Sequence, residues 1–286
     1  MRTTIREIAA MKRRGERISM ITAYDYTSAR IVEAAGVDII LVGDSLGQVV
    51  LGYDSTVPVT MDDMLHHIKA VVRGTNKVHI VGDLPFMSYQ ASEVEAIRNA
   101  GRLLKEGGAQ SVKLEGGRQV ADTMRRIVQA GIPVMAHIGL TPQAVNQLGG
   151  YRIQGKTTRT AIELIEDAKA VEDAGAFAIV LEGVPSQLAG IITARLTIPT
   201  IGIGAGVHCD GQVQVFHDMM GLYTDFTPKH ARKYAHLAEL MYDAVAEYIR
   251  DVRVQSFPSE DESFTLSPAV LAELTGDPQV AAQGER

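Results

Sequence analysis

Gly36, Gly108, Gly131 and Gly175 each open the same kind of segment, a short run rich in Val and Ile that ends on a polar residue. The four ends are Asp44, Glu115, His137 and Glu182. A glycine just past a helix can take the left-handed conformation that terminates it. An apolar run of this length reads as a strand buried on both faces of a parallel sheet. Comparable strands are expected at 19–23, 79–82, 200–202 and 212–216. The segments between them read as helices. Thr60, Ser92 and Thr160 stand three residues before Asp63, Glu95 and Glu163, the spacing of a capping box. Apolar residues then recur at intervals of three and four, as in Val94, Ile97, Ala100 and Leu104. Tyr234, Leu237, Met241, Val245, Tyr248 and Val252 keep that period through a longer closing helix. Eight strands alternating with helices predict an α/β fold, a closed (β/α)8 TIM barrel rather than an open sheet.

The 286-residue length suits one barrel over residues 1–256. Ile5, Ile8, Ala9 and Met11 predict a short N-terminal amphipathic helix packed on it. Residues 257–286 turn to Pro, Ser, Glu and Gln and read as a partly disordered tail, with Phe264 and Leu266 as its docking residues. Lys and Arg total 28 against 34 Asp and Glu, a net charge of −6. That leaves no excess of cations to neutralise phosphates, so no nucleic-acid partner is expected. No stretch reaches the ~18 apolar residues that a membrane span needs, and charges interrupt the N-terminal segment. The expected address is the cytoplasm. The single cysteine, Cys209, excludes an intrachain disulfide and a cysteine-rich zinc site, and is expected to be non-catalytic.

Barrel enzymes collect their chemistry at the C-terminal ends of the strands. Here those ends are Asp44, Asp83, Glu115, His137 and Glu182. Lys113 and Glu115 are two apart on one strand and face the same side. Neighbouring strands lie about 4.8 Å apart, so Asp44, Asp83 and Glu115 can crowd together. A hard divalent cation such as Mg²⁺ is the natural partner for such oxygens where no soft ligand is on offer. Each residue also has a plainer reading: Asp44 as a helix cap, Asp83 as a turn residue, Glu115 as a salt-bridge partner of Lys113, His137 as a buried donor to a carbonyl. A Glu182 carboxyl above a largely apolar barrel suits a general base near neutral pH. Two loops, 45–59 and 140–158, are too long for ordinary turns and fit either active-site walls or contacts between subunits. The glycine-rich run 202–206 fails the dinucleotide fingerprint because Val207 stands where glycine is required. Its expected role is to let backbone approach substrate closely, with phosphate binding as the alternative.

Several motifs together resemble the ketopantoate (3-methyl-2-oxobutanoate) hydroxymethyltransferase family. They are Ile21-Thr-Ala-Tyr-Asp25, Leu41-Val-Gly-Asp-Ser-Leu-Gly47, Val81-Gly-Asp-Leu-Pro-Phe-Met87, Val112-Lys-Leu-Glu-Gly116, Met135-Ala-His-Ile-Gly-Leu-Thr-Pro142, Gly149-Gly-Tyr-Arg-Ile-Gln-Gly155 and Ile201-Gly-Ile-Gly-Ala-Gly206. The likeness runs in order from about Ile5 to Arg250. It implies a Mg²⁺-dependent barrel of the phosphoenolpyruvate/pyruvate superfamily. Such an enzyme transfers a one-carbon unit from 5,10-methylenetetrahydrofolate to a branched 2-oxo acid, forming 2-dehydropantoate through a Mg²⁺-stabilised enolate. By the same resemblance, Asp44, Asp83 and Glu115 hold the metal, with Glu115 acting through water or directly. Asp44, Ser45, Asp83, Lys113 and His137 hold the oxo acid, and Glu182 accepts the C3 proton. The resemblance also implies a homo-oligomer, a decamer. Competing chemistries on the same barrel are a carbon–carbon lyase or mutase acting on oxaloacetate-like acids, and a Schiff-base aldolase using Lys113. A scaffold without activity requires a broken site, and every polar strand end is present.

Overall fold

The computed structural model describes residues 2–276. Eight parallel strands close into a barrel in chain order: β1 (Ile18–Thr22), β2 (Ile39–Val42), β3 (His79–Asp83), β4 (Ser111–Glu115), β5 (Val134–Gly139), β6 (Ala178–Glu182), β7 (Thr200–Ile203) and β8 (Gly211–Gln214). β8 pairs back onto β1, with Met20 opposite Val213. The four repeated glycines all have positive φ, from 85° at Gly108 to 97° at Gly175, as the helix-ending reading requires. β8 stops two residues short of its expected end. The chain turns there into the short helix Phe216–Met219, and the Phe216 N–H donates to Thr22 Oγ1 at 2.9 Å.

Two apolar clusters divide the packing. One lies between the strands and the surrounding helices. The other fills the barrel with Ile18, Met20, Ile39, Leu41, Val81, Met135, Val180, Ile201 and Val213. Ile8 and Met11 of the helix Ile5–Arg14 join this interior cluster, so the N-terminal amphipathic helix packs on the barrel as its period predicts. β4 adds no apolar side chain to the interior cluster. Its alternate positions are Ser111, Lys113 and Glu115, all buried. A polar seam therefore rises through an otherwise apolar barrel, and the site is built on it.

The expected capping signals at Thr60 and Ser92 hold, with Thr60 and Asp63 forming a reciprocal capping box. The third start is corrected: the helix Thr158–Asp173 is capped by Thr157, and Thr160 is its capping-box partner rather than the cap. Thr157 wins because its hydroxyl takes the Thr160 N–H while Thr160 Oγ1 accepts the Thr157 N–H.

The chain divides into two compact units, Met1–Ala235 and His236–Arg286. The helix Leu237–Arg253, read from its period as the closing helix of a barrel spanning 1–256, belongs to the second unit and has no buried residue. Within that unit the Tyr248 and Phe257 rings meet edge to face at 5.5 Å. A helix, Pro268–Thr275, replaces the irregular tail expected there, capped by Ser267 with Pro268 in its first turn. Phe264 and Leu266 are exposed. The rest of the expected tail, 277–286, lies outside the described residues.

Candidate active site

The strand ends converge as expected, and the register shows why. Asp83 is opposite Lys113 in the β3–β4 pair, Glu115 opposite His137 in β4–β5, and Gly139 opposite Glu182 in β5–β6. Alternation along each strand turns these side chains to the same side, and parallel pairing sets them a strand apart.

The result is one connected chain of polar contacts. The Asp44 N–H donates to Asp83 Oδ2 at 3.1 Å. Lys113 Nζ lies 2.8 Å from Asp83 Oδ1, an ion pair too oblique to form an aligned hydrogen bond. Lys113 Nζ is also 3.2 Å from His137 Nδ1. His137 reaches Glu115 Oε1 at 3.3 Å through Nδ1 and Glu182 Oε2 at 3.2 Å through Nε2. Ser45 stands slightly apart, its hydroxyl 2.8 Å from the Tyr24 hydroxyl. All seven residues picked from the sequence therefore sit at one mouth of the barrel. Only Glu182 departs from its expected setting: it faces the His137 ring rather than an apolar wall, and its side chain is 16 % exposed.

Burial and charge set the protonation states. Burial, followed by repulsion from Asp83 and Glu115, pushes the Asp44 carboxyl well above its ordinary range. Asp83 is raised as well, by burial, against the pull of Lys113. For Glu115 burial is outweighed by His137, Lys113 and the Gln143 N–H, which hold it low. Burial and the Lys113 charge oppose protonation of His137, yet its bonds to Glu115 and Glu182 carry it up to about 9. The two ring nitrogens face the two carboxylates, but Nε2 makes no aligned hydrogen bond and the aligned contact of Nδ1 is with Lys113 Nζ. Lys113 is shifted upward despite burial, chiefly by Asp83, Glu115 and Asp44.

Two buried residues that sequence reasoning passed over organise this cluster. Gln143 Nε2 donates to Asp44 Oδ2 at 2.8 Å and to the Leu84 carbonyl at 2.9 Å, while its backbone N–H donates to Glu115 Oε2 at 3.0 Å. The Tyr89 hydroxyl donates to Gln143 Oε1 at 2.8 Å and accepts the Glu115 N–H at 3.1 Å. Gln143 lies one residue past the Met135-to-Pro142 motif, and a polar residue locked behind Pro142 in a loop after a strand was the available signal. The two long loops are site walls: one supplies Ser45 and the other Gln143. Among the described residues no group of three or more His, Cys, Asp or Glu stands at metal-ligand spacing. Glu115 breaks the expected trio because His137 and the Gln143 N–H engage its oxygens.

The remaining readings resolve simply. A Cβ on Gly206 would lie 2.0 Å from Ser186 Oγ, so glycine is required there by packing against Ser186. Burial pushes the Cys209 thiol up, against a nucleophilic role. Among the described residues no helix is long and apolar enough to cross a membrane.

This closed parallel barrel has the fold of solved structures that include a member of the phosphoenolpyruvate mutase/isocitrate lyase superfamily. Phosphonopyruvate hydrolase superposes with a TM-score of 0.60 at 15 % identity, covering 100 % of this chain and 99 % of its own. 2,3-Dimethylmalate lyase, a member of that superfamily, superposes at 0.58 with 18 % identity, covering 99 % of each chain. At such identities the likeness is one of fold. Residues 2–260 match the ketopantoate hydroxymethyltransferase family, and the chain belongs to it. A 3-methyl-2-oxobutanoate hydroxymethyltransferase of Dehalococcoides mccartyi is 62 % identical over 274 residues, covering 96 % of this chain and 98 % of that protein. The enzyme of the same name from Chloroflexus aurantiacus is 60 % identical over 283 residues, covering 99 % of this chain and 100 % of that one.

Proposed function

We propose that this protein transfers a hydroxymethyl group from 5,10-methylenetetrahydrofolate to 3-methyl-2-oxobutanoate, giving 2-dehydropantoate for pantothenate and coenzyme A synthesis. Its charge balance carries the reading. The carboxylates of Asp44, Asp83, Glu115 and Glu182 meet only two cationic side chains, Lys113 and His137. The deficit falls on Asp44 and Asp83, both driven toward the neutral form although Lys113 Nζ lies 2.8 Å from Asp83 Oδ1. Two neighbouring carboxylates are hard oxygen donors that suit Mg²⁺, with Glu115 as an outer ligand through water. Bound there, Mg²⁺ supplies Lewis-acid polarisation of the 2-oxo group.

The chain's own residues do the rest. Asp44, Ser45, Asp83, Lys113 and His137 line the position of the oxo acid. The Lys113 ammonium faces the negative charge that develops on the ketone oxygen as C3 loses its proton. Glu182 accepts that proton, and the His137 imidazolium, anchored to Glu115, aims the Glu182 carboxylate. Water cleaves the donor's two carbon–nitrogen bonds, releasing tetrahydrofolate and a one-carbon unit at the formaldehyde level. The carbon nucleophile adds to that carbonyl, whose oxygen, taken from the water, becomes the protonated hydroxyl. A Schiff base on Lys113 is disfavoured, since its carboxylate neighbours keep the amine protonated. The enzyme is proposed to work in the cytoplasm as a homo-oligomer, decameric by family resemblance, which sedimentation tests.

The test is the rate of 2-dehydropantoate formation after chelator treatment, with and without restored Mg²⁺, beside Glu182→Gln. The variant is expected to lose about 10²–10⁴-fold in kcat while still binding the oxo acid in a Mg²⁺-dependent way. Near-normal turnover in that variant, or a rate indifferent to the chelator, overturns the assignment.

A further inference from the structure

A cavity of about 590 Å³ lies beside the carboxylate cluster, within the barrel unit. Its walls include Tyr53, Tyr151, Tyr223 and Phe226. The chain holds only 9 Tyr, 6 Phe and no Trp, so four rings on one cavity is a marked concentration. Tyr53, Tyr151 and Phe226 are exposed at 38 %, 51 % and 64 %, which leaves their faces open to a ligand. The polar side chains on the wall are Gln48, Asp54 and Asp225, and among the described residues no Lys or Arg lines it. A pocket of aromatic faces and carboxylate acceptors without a cation selects a flat, neutral heterocycle rich in N–H donors, and rejects a phosphate or a free carboxylate.

Two of the cavity's lining residues connect it to the site. Gln48 lies on the short helix Leu46–Val49 that starts beside Asp44 and Ser45. Tyr151 lines the cavity while its phenol, raised mainly by burial, also feels the Glu182, Asp44 and Glu115 carboxylates. A molecule seated there lies alongside the atoms that would hold the oxo acid.

We propose that this cavity binds the reduced pterin ring of the one-carbon donor, stacked on the Tyr53, Tyr151, Tyr223 and Phe226 faces with its amino and ring N–H groups on Asp54 and Asp225. The proposal rests on the folate-dependent transfer given above. It places the donor's anionic glutamate tail outside the pocket, where no cation is needed on its wall. Volume agrees, since 590 Å³ is within the range of about 300–1,000 Å³ typical of small-molecule sites.

The experiment compares Phe226→Ala and Asp54→Asn with the wild type in three assays. Phe226→Ala is expected to raise the KM for 5,10-methylenetetrahydrofolate about tenfold, the scale of one lost aromatic stack, with the KM for 3-methyl-2-oxobutanoate unmoved. 6-Methyltetrahydropterin, which lacks the glutamate tail, should compete with the donor in the wild type and do so about tenfold less well in both variants. Exchange of the C3 hydrogen of the oxo acid in D2O, with Mg²⁺ and no folate, reports the enolising residues separately. A donor KM within twofold of wild type in both variants overturns the pterin site. So does a changed sedimentation mass, which would make the cavity a subunit contact. A wild-type protein that exchanges C3 yet makes no product from the folate donor overturns the underlying reading, and does so without reference to the variants.

Discussion

Gln143→Met is the sharpest probe of how the acidic cluster is held, because it preserves side-chain length and leaves the backbone bond to Glu115 in place. It deletes the 2.8 Å bond to the Asp44 carboxylate, the 2.9 Å bond to the Leu84 carbonyl and the bond from Tyr89. A hydrogen bond to a charged group contributes about 1.5–3 kcal/mol and a neutral one about 0.5–1.5 kcal/mol. Tyr89 recovers part of its loss at the Glu115 carbonyl 3.1 Å away, so a net cost of about 3 kcal/mol is expected in urea unfolding.

The functional consequence runs through Asp44. Gln143 lowers a carboxyl that burial and neighbouring charges already raise. Removing that hydrogen bond raises the Asp44 pKa further and lets protons compete better with Mg²⁺. The sign follows directly: the variant needs more Mg²⁺ at the lower of two pH values, and the difference shrinks at the higher one as Asp44 ionises more fully in both proteins. The assay is the Mg²⁺ dependence of 2-dehydropantoate formation at the two pH values. Equal Mg²⁺ requirements at the lower pH, or a defect that persists undiminished at the higher one, would falsify the role given to Gln143.

Two further outcomes test the frame around the site. A Cβ on Gly139, at φ 97°, would meet the Glu182 carbonyl at 2.3 Å and Val184 Cγ2 at 2.7 Å. Gly139→Ala should therefore cost more than about 2 kcal/mol and most of the activity, whereas Gly131→Ala, at φ 86° in open space, should cost about 1 kcal/mol and leave kcat alone; equal effects in thermal melts and kinetics would refute the contact argument. His79 is buried at the opposite end of the seam, its Nδ1–H donating to the Thr3 carbonyl at 2.9 Å and its Nε2 accepting from Ser111 at 2.8 Å. Burial lowers its pKa to about 4, below the unfolded value of about 6.5, so the fold favours the neutral ring. That contribution is complete above about pH 6.5 and is lost as pH falls toward 4, by about 3 kcal/mol in all. His79→Gln should flatten the pH dependence of stability in that window; an unchanged slope would exclude His79 as its source.

What could be read ahead of the structure was what the chain encodes locally. The glycine that ends a helix, the strand after it and the polar residue at the strand's end lie within ten residues of one another, so four strands and the polar ends Asp44, Glu115, His137 and Glu182 were visible. Thr157 against Thr160 shows the limit of that locality: both hydroxyls satisfy the capping pattern, and only the reciprocal bonds choose between them. The helix Pro268–Thr275 announced itself by Ser267 and Pro268, a local signal outweighed by the polar composition around it.

Gln143 was invisible for a different reason. It serves Asp44 from 99 residues away, across loops whose path no periodicity determines. The strand ends supply charges, and charges alone do not make a site: left unbridged, Asp44 and Asp83 would simply take up protons. Gln143, itself held by Tyr89, donates to Asp44 through a neutral amide and to Glu115 through its backbone N–H, which favours the charged carboxylate without adding a cation. A lysine or arginine at position 143 would satisfy the same carboxylate oxygen and cancel the charge a metal requires. A neutral amide organises the cluster without competing for it, and that choice is the part of the design that only the assembled barrel reveals.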